Sequence, residues 1–319
     1  MKCKILLTGC CGFISSHLLD RLLDEGYDVI GVDNTITGTI ENIITRIDEF
    51  EFVRGDLSEF DVCKRAMNGV DVVCHLAALP SVPRSLADPV ASNTNNVDAT
   101  VKILKAAVDA GVKRILYTSS SSVYGDNPIL PKVETMIPNP KSPYAVSKLV
   151  GEYYMSVFNR CYGIDTLSFR LFNIIGPRQA IKSQYAAVVP NFMKAAIMGE
   201  SMIINGLGDA SRDFTPVHNV VDAFMRAIEY PGRFDGKIMN IACEKRTTVL
   251  ELAEMISSIA GVKLNAKFLP DRKGDVKHSL ADITIAKEIL GYDPTRHSLQ
   301  DVLKECHAYY TTEAIGDGN

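Results

Sequence analysis

Two short stretches carry side chains that could move a proton. The first is Tyr144-Ala145-Val146-Ser147-Lys148. On a helix, positions i and i+4 share a face, so the phenol and the ammonium are neighbours. An ammonium there is expected to favour the phenolate and lower the tyrosine pKa from its usual ~10, making Tyr144 a proton acceptor near neutral pH. The second is Thr118-Ser119-Ser120-Ser121-Ser122-Val123-Tyr124-Gly125, which follows an apolar run at 114–117. Strand ends in open parallel sheets face the ligand crevice, where hydroxyls can orient a substrate oxygen. A Ser/Tyr/Lys set is therefore a better reading than a plain turn beside a chance helical spacing.

A third stretch could hold an anion. Thr8-Gly9-Cys10-Cys11-Gly12-Phe13-Ile14-Ser15 links an apolar run to an amphipathic one. Glycines there allow a tight turn and let a pyrophosphate approach backbone N–H groups at a helix N-terminus. Asp33 lies 21 positions after Gly12. A carboxylate at that place accepts from a ribose 2′-OH and repels a 2′-phosphate, which favours NAD over NADP. Ser15 stands where a third glycine is usual, so slight displacement of the helix is expected. Cys10 and Cys11 sit where a helix N-terminus lowers a thiol pKa, although small residues filling a turn explain them more simply.

The elements that must position these groups alternate. Short apolar runs at 5–7, 29–32, 51–53, 70–74, 114–117 and 166–169 read as buried strands. Helical patterns lie near 12–25, 58–68, 96–110 and 144–162. The reading is α/β: a Rossmann-type doubly wound parallel sheet with helices on both faces. The stretch 119–143 carries five prolines and is expected to be a loop bordering a site. After residue 172 the rhythm changes, with helices expected at 188–198, 219–229, 248–259 and 298–309. The division expected is a cofactor domain, 1–172 with 215–242 returning to it, and a smaller C-terminal α/β substrate-binding domain, 173–214 and 243–319.

The 319 residues carry 34 Lys+Arg against 38 Asp+Glu, a formal charge of −4, with 46% hydrophobic and 23% charged residues. That is an ordinary globular composition, and it argues against a general nucleic-acid binder. The eight cysteines form no CxxC pair, so reduced thiols in a cytoplasmic protein are expected, with no metal site. No apolar stretch is long enough to span a bilayer.

With these motifs in place, the chain resembles the extended short-chain dehydrogenase/reductases, specifically the nucleotide-sugar 4-epimerases. The likeness runs through Gly9-x-x-Gly12, Val32-Asp33-Asn34, Gly55-Asp56-Leu57, His75-Leu76-Ala77-Ala78, Asn95-Asn96-Val97, the serine run and Tyr144-x-x-x-Lys148. It continues through Arg170-Leu171-Phe172-Asn173, Arg212-Asp213-Phe214 and Arg272-x-Gly274-Asp275. The resemblance implies NAD as cofactor, held by Gly9, Gly12, Phe13, Ile14, Asp33, Asn34, Asp56, Leu57, Leu76, Ala77, Ala78, Asn96, Tyr144 and Lys148. It implies Ser120, Tyr144 and Lys148 as catalytic residues. A UDP-sugar would meet Ser81, Arg84, Ser120, Ser121, Tyr144, Asn173, Gln179, Val188, Arg212, Arg272, Asp275 and Ser279.

Related 4,6-dehydratases carry Asp-Glu at the positions of Ser121 and Ser122, and related decarboxylases a Glu at the second. Serines there demote a lyase. A UDP-glucuronate 4-epimerase and a non-catalytic NAD-binding module stand as alternatives. The resemblance makes Ser279 a gate to the sugar pocket. A small residue there, with 78–85 and 185–190, resembles the branch preferring UDP-GlcNAc and UDP-GalNAc. It also implies a homodimer through the helices near 96–110 and 144–162.

Overall fold

A computed structural model describes residues 2–180, 187–270 and 277–316, with side chains described as far as 312. Seven parallel strands form one sheet: β1 (Lys4–Thr8), β2 (Asp28–Asp33), β3 (Glu51–Arg54), β4 (Val72–His75), β5 (Arg114–Ser120), β6 (Asp165–Leu171) and β7 (Lys237–Ile241). Their order is β7-β6-β5-β4-β1-β2-β3, so the winding direction reverses between β1 and β4. In such sheets ligands bind beyond the strand C-termini at this reversal. Gly9, just past β1, and Ala77, just past β4, meet there: a Cβ added to Gly9 would lie 2.9 Å from the Ala77 Cα.

Each strand feeds both faces by simple alternation. Ile5 and Leu7 join one apolar cluster while Leu6 joins the other, and Val72 and Cys74 are divided from Val73 in the same way. The first face is covered by α1 (Phe13–Asp24) and a helix that returns late in the chain, Val217–Glu229. The second is covered by α2 (Phe60–Ala66), α3 (Ala99–Asp109) and α4 (Pro143–Tyr162). A third cluster gathers helices Val188–Met198, Val249–Ile259 and Leu299–Gly316.

The six expected strands and four expected helices of the first half are present. The seventh strand, β7, was not read from the sequence as a strand. Between 82 and 98 the chain also folds into short helices, Val82–Ala87 and Pro89–Asn93, and a π-helical turn, Thr94–Asp98. The stretch 119–143 begins with a 3-10 turn over Ser121–Tyr124 and then runs irregularly beside the sheet ends. All eight cysteines are free thiols. Among the described residues, no helix is long and apolar enough to cross a membrane.

Candidate active site

The catalytic helix α4 starts and stops where its sequence dictates. Ser142 caps it by accepting from the Ala145 N–H at 3.2 Å, Pro143 occupies the first turn, and Gly163 ends it at φ +74°. Tyr144, Lys148 and Glu152 then fall on one face, four residues apart, toward β5 and β6. Glu152 anchors that face. It is buried, takes a bidentate pair from Arg170 of β6 at 2.8 and 2.9 Å, and accepts from the Ser119 hydroxyl of β5 at 2.5 Å.

Ser120 ends β5 beside this helix. Its Oγ accepts from the Ser122 N–H at 3.1 Å and the Ser122 hydroxyl at 2.9 Å. Both acceptor places are thereby filled, which leaves the Ser120 proton to turn to the Tyr144 phenol, whose pKa it lowers. Ser122, which the sequence marked only as a place without an acid, is thus a supporting residue. Lys148 is 3% exposed, and its ammonium donates to the Thr118 carbonyl at 2.8 Å.

The expected lowering of the tyrosine pKa is reversed. Burial pushes the Tyr144 phenol above its ordinary value, and the hydrogen bond from Ser120 only partly opposes this. Burial also pushes Lys148 down to about 7. An ammonium turned to a backbone carbonyl, with burial lowering its pKa, gives the phenol little field.

The turn Gly9–Gly12 is built for close approach. Gly9 has φ +69°. Gly12 caps α1 without a side-chain hydrogen bond, and the first turn of α1, containing Phe13 and Ile14, has no acidic residue. The uncapped N–H groups suit an anion. Ser15 is buried at 3% exposure and is accommodated. Cys10 and Cys11 are buried, and the hydrogen bond with the Cys11 thiol, together with burial, drives the Cys10 pKa up, so Cys10 is not an activated thiol. They lie beside Asp33, the one compact trio of metal-ligating atoms among the described residues.

Asp33, at the end of β2, accepts from the Cys11 N–H at 3.0 Å and the Thr35 N–H at 2.6 Å. A crevice beside it is lined by Gly9, Asp33, Asn34, Asp56, Leu57, Ala77 and Ala78, joined by Asn95, which belongs to the Asn95-Asn96-Val97 motif but was given no role there. Each Asp33 oxygen keeps a lone pair for a ribose hydroxyl. These features fit the adenosine end of NAD.

Leu76 and Asn96 act from beneath. The Thr8 hydroxyl accepts from the Leu76 and Ala77 N–H groups, both at 3.1 Å, and meets buried His75 at 2.8 Å. Burial pushes His75 down to about 3, so it is neutral. Asn96 is spent inside the protein: it accepts from the Leu79 N–H at 2.6 Å and donates to Ser147 at 2.9 Å. It ties the crevice floor to α4 and does not line the crevice.

A second cavity has a volume of about 250 Å³. Asn173, Val188 and Arg212 line it, with Phe214 of the Arg212-Asp213-Phe214 motif and with Ile203, Asn205 and Val249, which the sequence did not mark. Asn173 has φ +40° and donates to the Ser279 hydroxyl at 3.0 Å. Gln179 donates to the Ile174 carbonyl at 3.2 Å. Ser81, at φ +96°, caps the short helix containing Arg84. Ser121 opens the 3-10 turn after Ser120. Arg272 and Asp275, and the 185–186 part of the sugar-pocket motif, lie outside the described residues.

Comparison with known proteins agrees with this geometry. The model of the NAD dependent epimerase/dehydratase family matches residues 5–242. A UDP-glucose 4-epimerase of Mycolicibacterium smegmatis is 39% identical over 295 residues, covering 91% of this chain and 93% of that protein. The structure of a UDP-N-acetylglucosamine 4-epimerase from Methanobrevibacter ruminantium M1, in complex with UDP-N-acetylmuramic acid, superposes with a TM-score of 0.93 at 36% identity, covering 98% and 100% of the two chains. A UDP-glucuronic acid 4-epimerase from Bacillus cereus, in complex with UDP-glucuronic acid and NAD, gives 0.90 at 32% identity, covering 97% and 99%. The chain therefore belongs to the NAD dependent epimerase/dehydratase family, among the nucleotide-sugar 4-epimerases of the extended short-chain dehydrogenase/reductase type, with NAD as its cofactor.

Proposed function

We propose that this protein interconverts UDP-GlcNAc and UDP-GalNAc by inverting the sugar's C4. The observation that carries the sugar choice is Ser279, a small residue whose hydroxyl is drawn onto Asn173 at the cavity edge. A bulky side chain there would fill the space a 2-acetamido group needs. Val188 supplies an apolar wall, and Ser81, Arg84 and Gln179 are the candidate polar contacts to the sugar and its acetamido group.

Gly9, Gly12, Phe13 and Ile14 would receive the NAD pyrophosphate, Asp33 and Asn34 its adenosine ribose, Asp56 and Leu57 its adenine, and Leu76 to Ala78 its central part. Lys148 keeps two N–H donors for the other ribose. NAD, when bound, supplies the hydride acceptor for C4 and a positive ring. Tyr144 takes the proton of the 4-OH, and Ser120, oriented by Ser122, holds the same oxygen. Asn173, Arg212 and Arg272 grip the diphosphate, so the sugar turns about a fixed anchor and accepts hydrogen on its other face; Asp275 is a further candidate contact to the substrate. Positioning is the protein's main contribution.

The lyase alternative needs an acid at Ser121 or Ser122, and Ser122 is already committed to Ser120. The cofactor lobe and substrate lobe of the sequence reading suit the separateness of the third apolar cluster. A homodimer through α4 and its neighbour α3 is supported by exposed Val146, Tyr153 and Val157 on one helix, between 45% and 58% accessible.

The test is separate incubation with UDP-GlcNAc, UDP-Glc and UDP-GlcA, with products resolved by chromatography. The expected result is fastest conversion of UDP-GlcNAc. Preferential conversion of UDP-GlcA would establish the glucuronate alternative, and bound NAD without any turnover a binding module.

A further inference from the structure

We infer that Asp213 is a positioning residue that clamps the substrate site together, holding the segment that carries Ser279 and the loop after β7 onto the strand that carries Arg212. The inference rests on the reading above for what the site binds. Asp213 lies between Arg212 and Phe214, which both line the second cavity, yet its own side chain is fully buried behind them. Its Oδ1 accepts from the Cys243 N–H at 2.9 Å and its Oδ2 from the Ala281 N–H at 3.2 Å. The N–H groups of Glu244 and Lys245 also face it and favour its charged form. Glu244 has φ +54°, which curls the loop so that its successive N–H groups converge on the carboxylate.

Among the described residues no basic side chain pairs with Asp213. An isolated buried carboxylate is costly, and here backbone donors alone offset that cost. Burial still pushes its pKa up to about 6. What the carboxylate grips is the substrate machinery. Ala281 is two residues beyond Ser279. The Ser279 N–H is itself bound to the Ser211 carbonyl at 3.0 Å. The Asp213 carbonyl accepts from the Asn173 amide at 3.4 Å, and that same amide donates to Ser279. Asn173, Asp213, Ser279 and the strand Ser211–Arg212 thus form one closed ring of contacts joining diphosphate anchor and sugar gate. Asparagine cannot replace the clamp. It has one acceptor oxygen, and its NH2 would point at an N–H, so one wall must let go.

The experiment is Asp213→Asn in the NAD-loaded enzyme. UDP affinity by calorimetry should fall about tenfold. The ratio of kcat/KM for UDP-GlcNAc to that for UDP-Glc should shift at least threefold. The kcat at saturation and the NAD content should stay within about threefold and unchanged, respectively. A folded variant with unaltered UDP affinity and sugar ratio, or one losing kcat while UDP affinity holds, overturns the clamp. If the wild-type enzyme turns over neither sugar, the functional reading fails, and the UDP-affinity arm still decides the clamp. Should the variant not fold, hydrogen exchange on the wild type decides it. The Cys243 and Ala281 amides should slow together on adding UDP, and independent behaviour overturns the inference.

Discussion

Replacing Lys148 with methionine should make the NAD-free protein more stable while destroying its activity. The lysine is 3% exposed, and burial pushes its pKa from 10.5 to about 7. Between those values the unfolded chain keeps a proton that the folded chain has shed. Folding stability of the wild type therefore rises with pH across roughly 7 to 10.5, and the penalty from this one group is greatest at and below pH 7. A shift of that size corresponds to about 5 kcal/mol. Methionine keeps the apolar stem and removes the charge, but it orphans the Thr118 carbonyl, at a cost of about 1–3 kcal/mol. The net gain is about 2–4 kcal/mol at pH 6–7, a rise of about 1 M in urea midpoint for a chain this long. Urea unfolding of both proteins at pH 6, 7.5 and 9, followed by circular dichroism, measures it. The difference should shrink toward pH 9 and beyond. A variant less stable than wild type at pH 6, or a gap that does not narrow with pH, refutes the reasoning.

Other perturbations test separate parts of the site. Glu152→Gln leaves the buried Arg170 guanidinium without its counter-charge; it should cost about 3–5 kcal/mol and lower Tm by roughly 4–8 °C, and a loss under 1 kcal/mol would mean the pair is not holding α4 to the sheet. Gly9→Ala forces a Cβ against the Ala77 backbone at positive φ; the purified protein should carry little NAD by absorbance, and full occupancy would contradict the turn geometry. Ser279→Tyr should suppress turnover of UDP-GlcNAc at least tenfold while sparing UDP-Glc; equal losses on both would count against the gate.

Much of the sheet was legible because its inner strands are continuously apolar and buried on both faces. The seventh strand was not, since Lys237 and Asn240 break its pattern and it lies at the sheet edge. Asn240 is no surface residue: it is buried and takes the Tyr124 hydroxyl at 2.7 Å. The spacing of Tyr144 and Lys148 correctly placed both on one helix face. It could not give the sign of the phenol's shift, which depends on burial and on where the ammonium points, and a carbonyl at Thr118 decides the latter. Asn96 carried a motif signal, but only the fold reveals that its amide is consumed by Leu79 and Ser147. Ile203 and Asn205, at the second cavity, come from a very short strand, Met202–Asn205, whose few positions leave no readable period.

In the proposed reaction one hydrogen leaves C4 of the sugar and returns to the same carbon on its other face, with Tyr144 and Ser120 handling only the hydroxyl proton. Incubating the NAD-loaded enzyme with UDP-GlcNAc in D2O, then separating the products and taking their mass spectra, tests it directly. UDP-GalNAc should form with no deuterium on carbon, and Tyr144→Phe should form almost none. Deuterium at C4, or UDP-GalNAc formed undiminished by Tyr144→Phe, would contradict it.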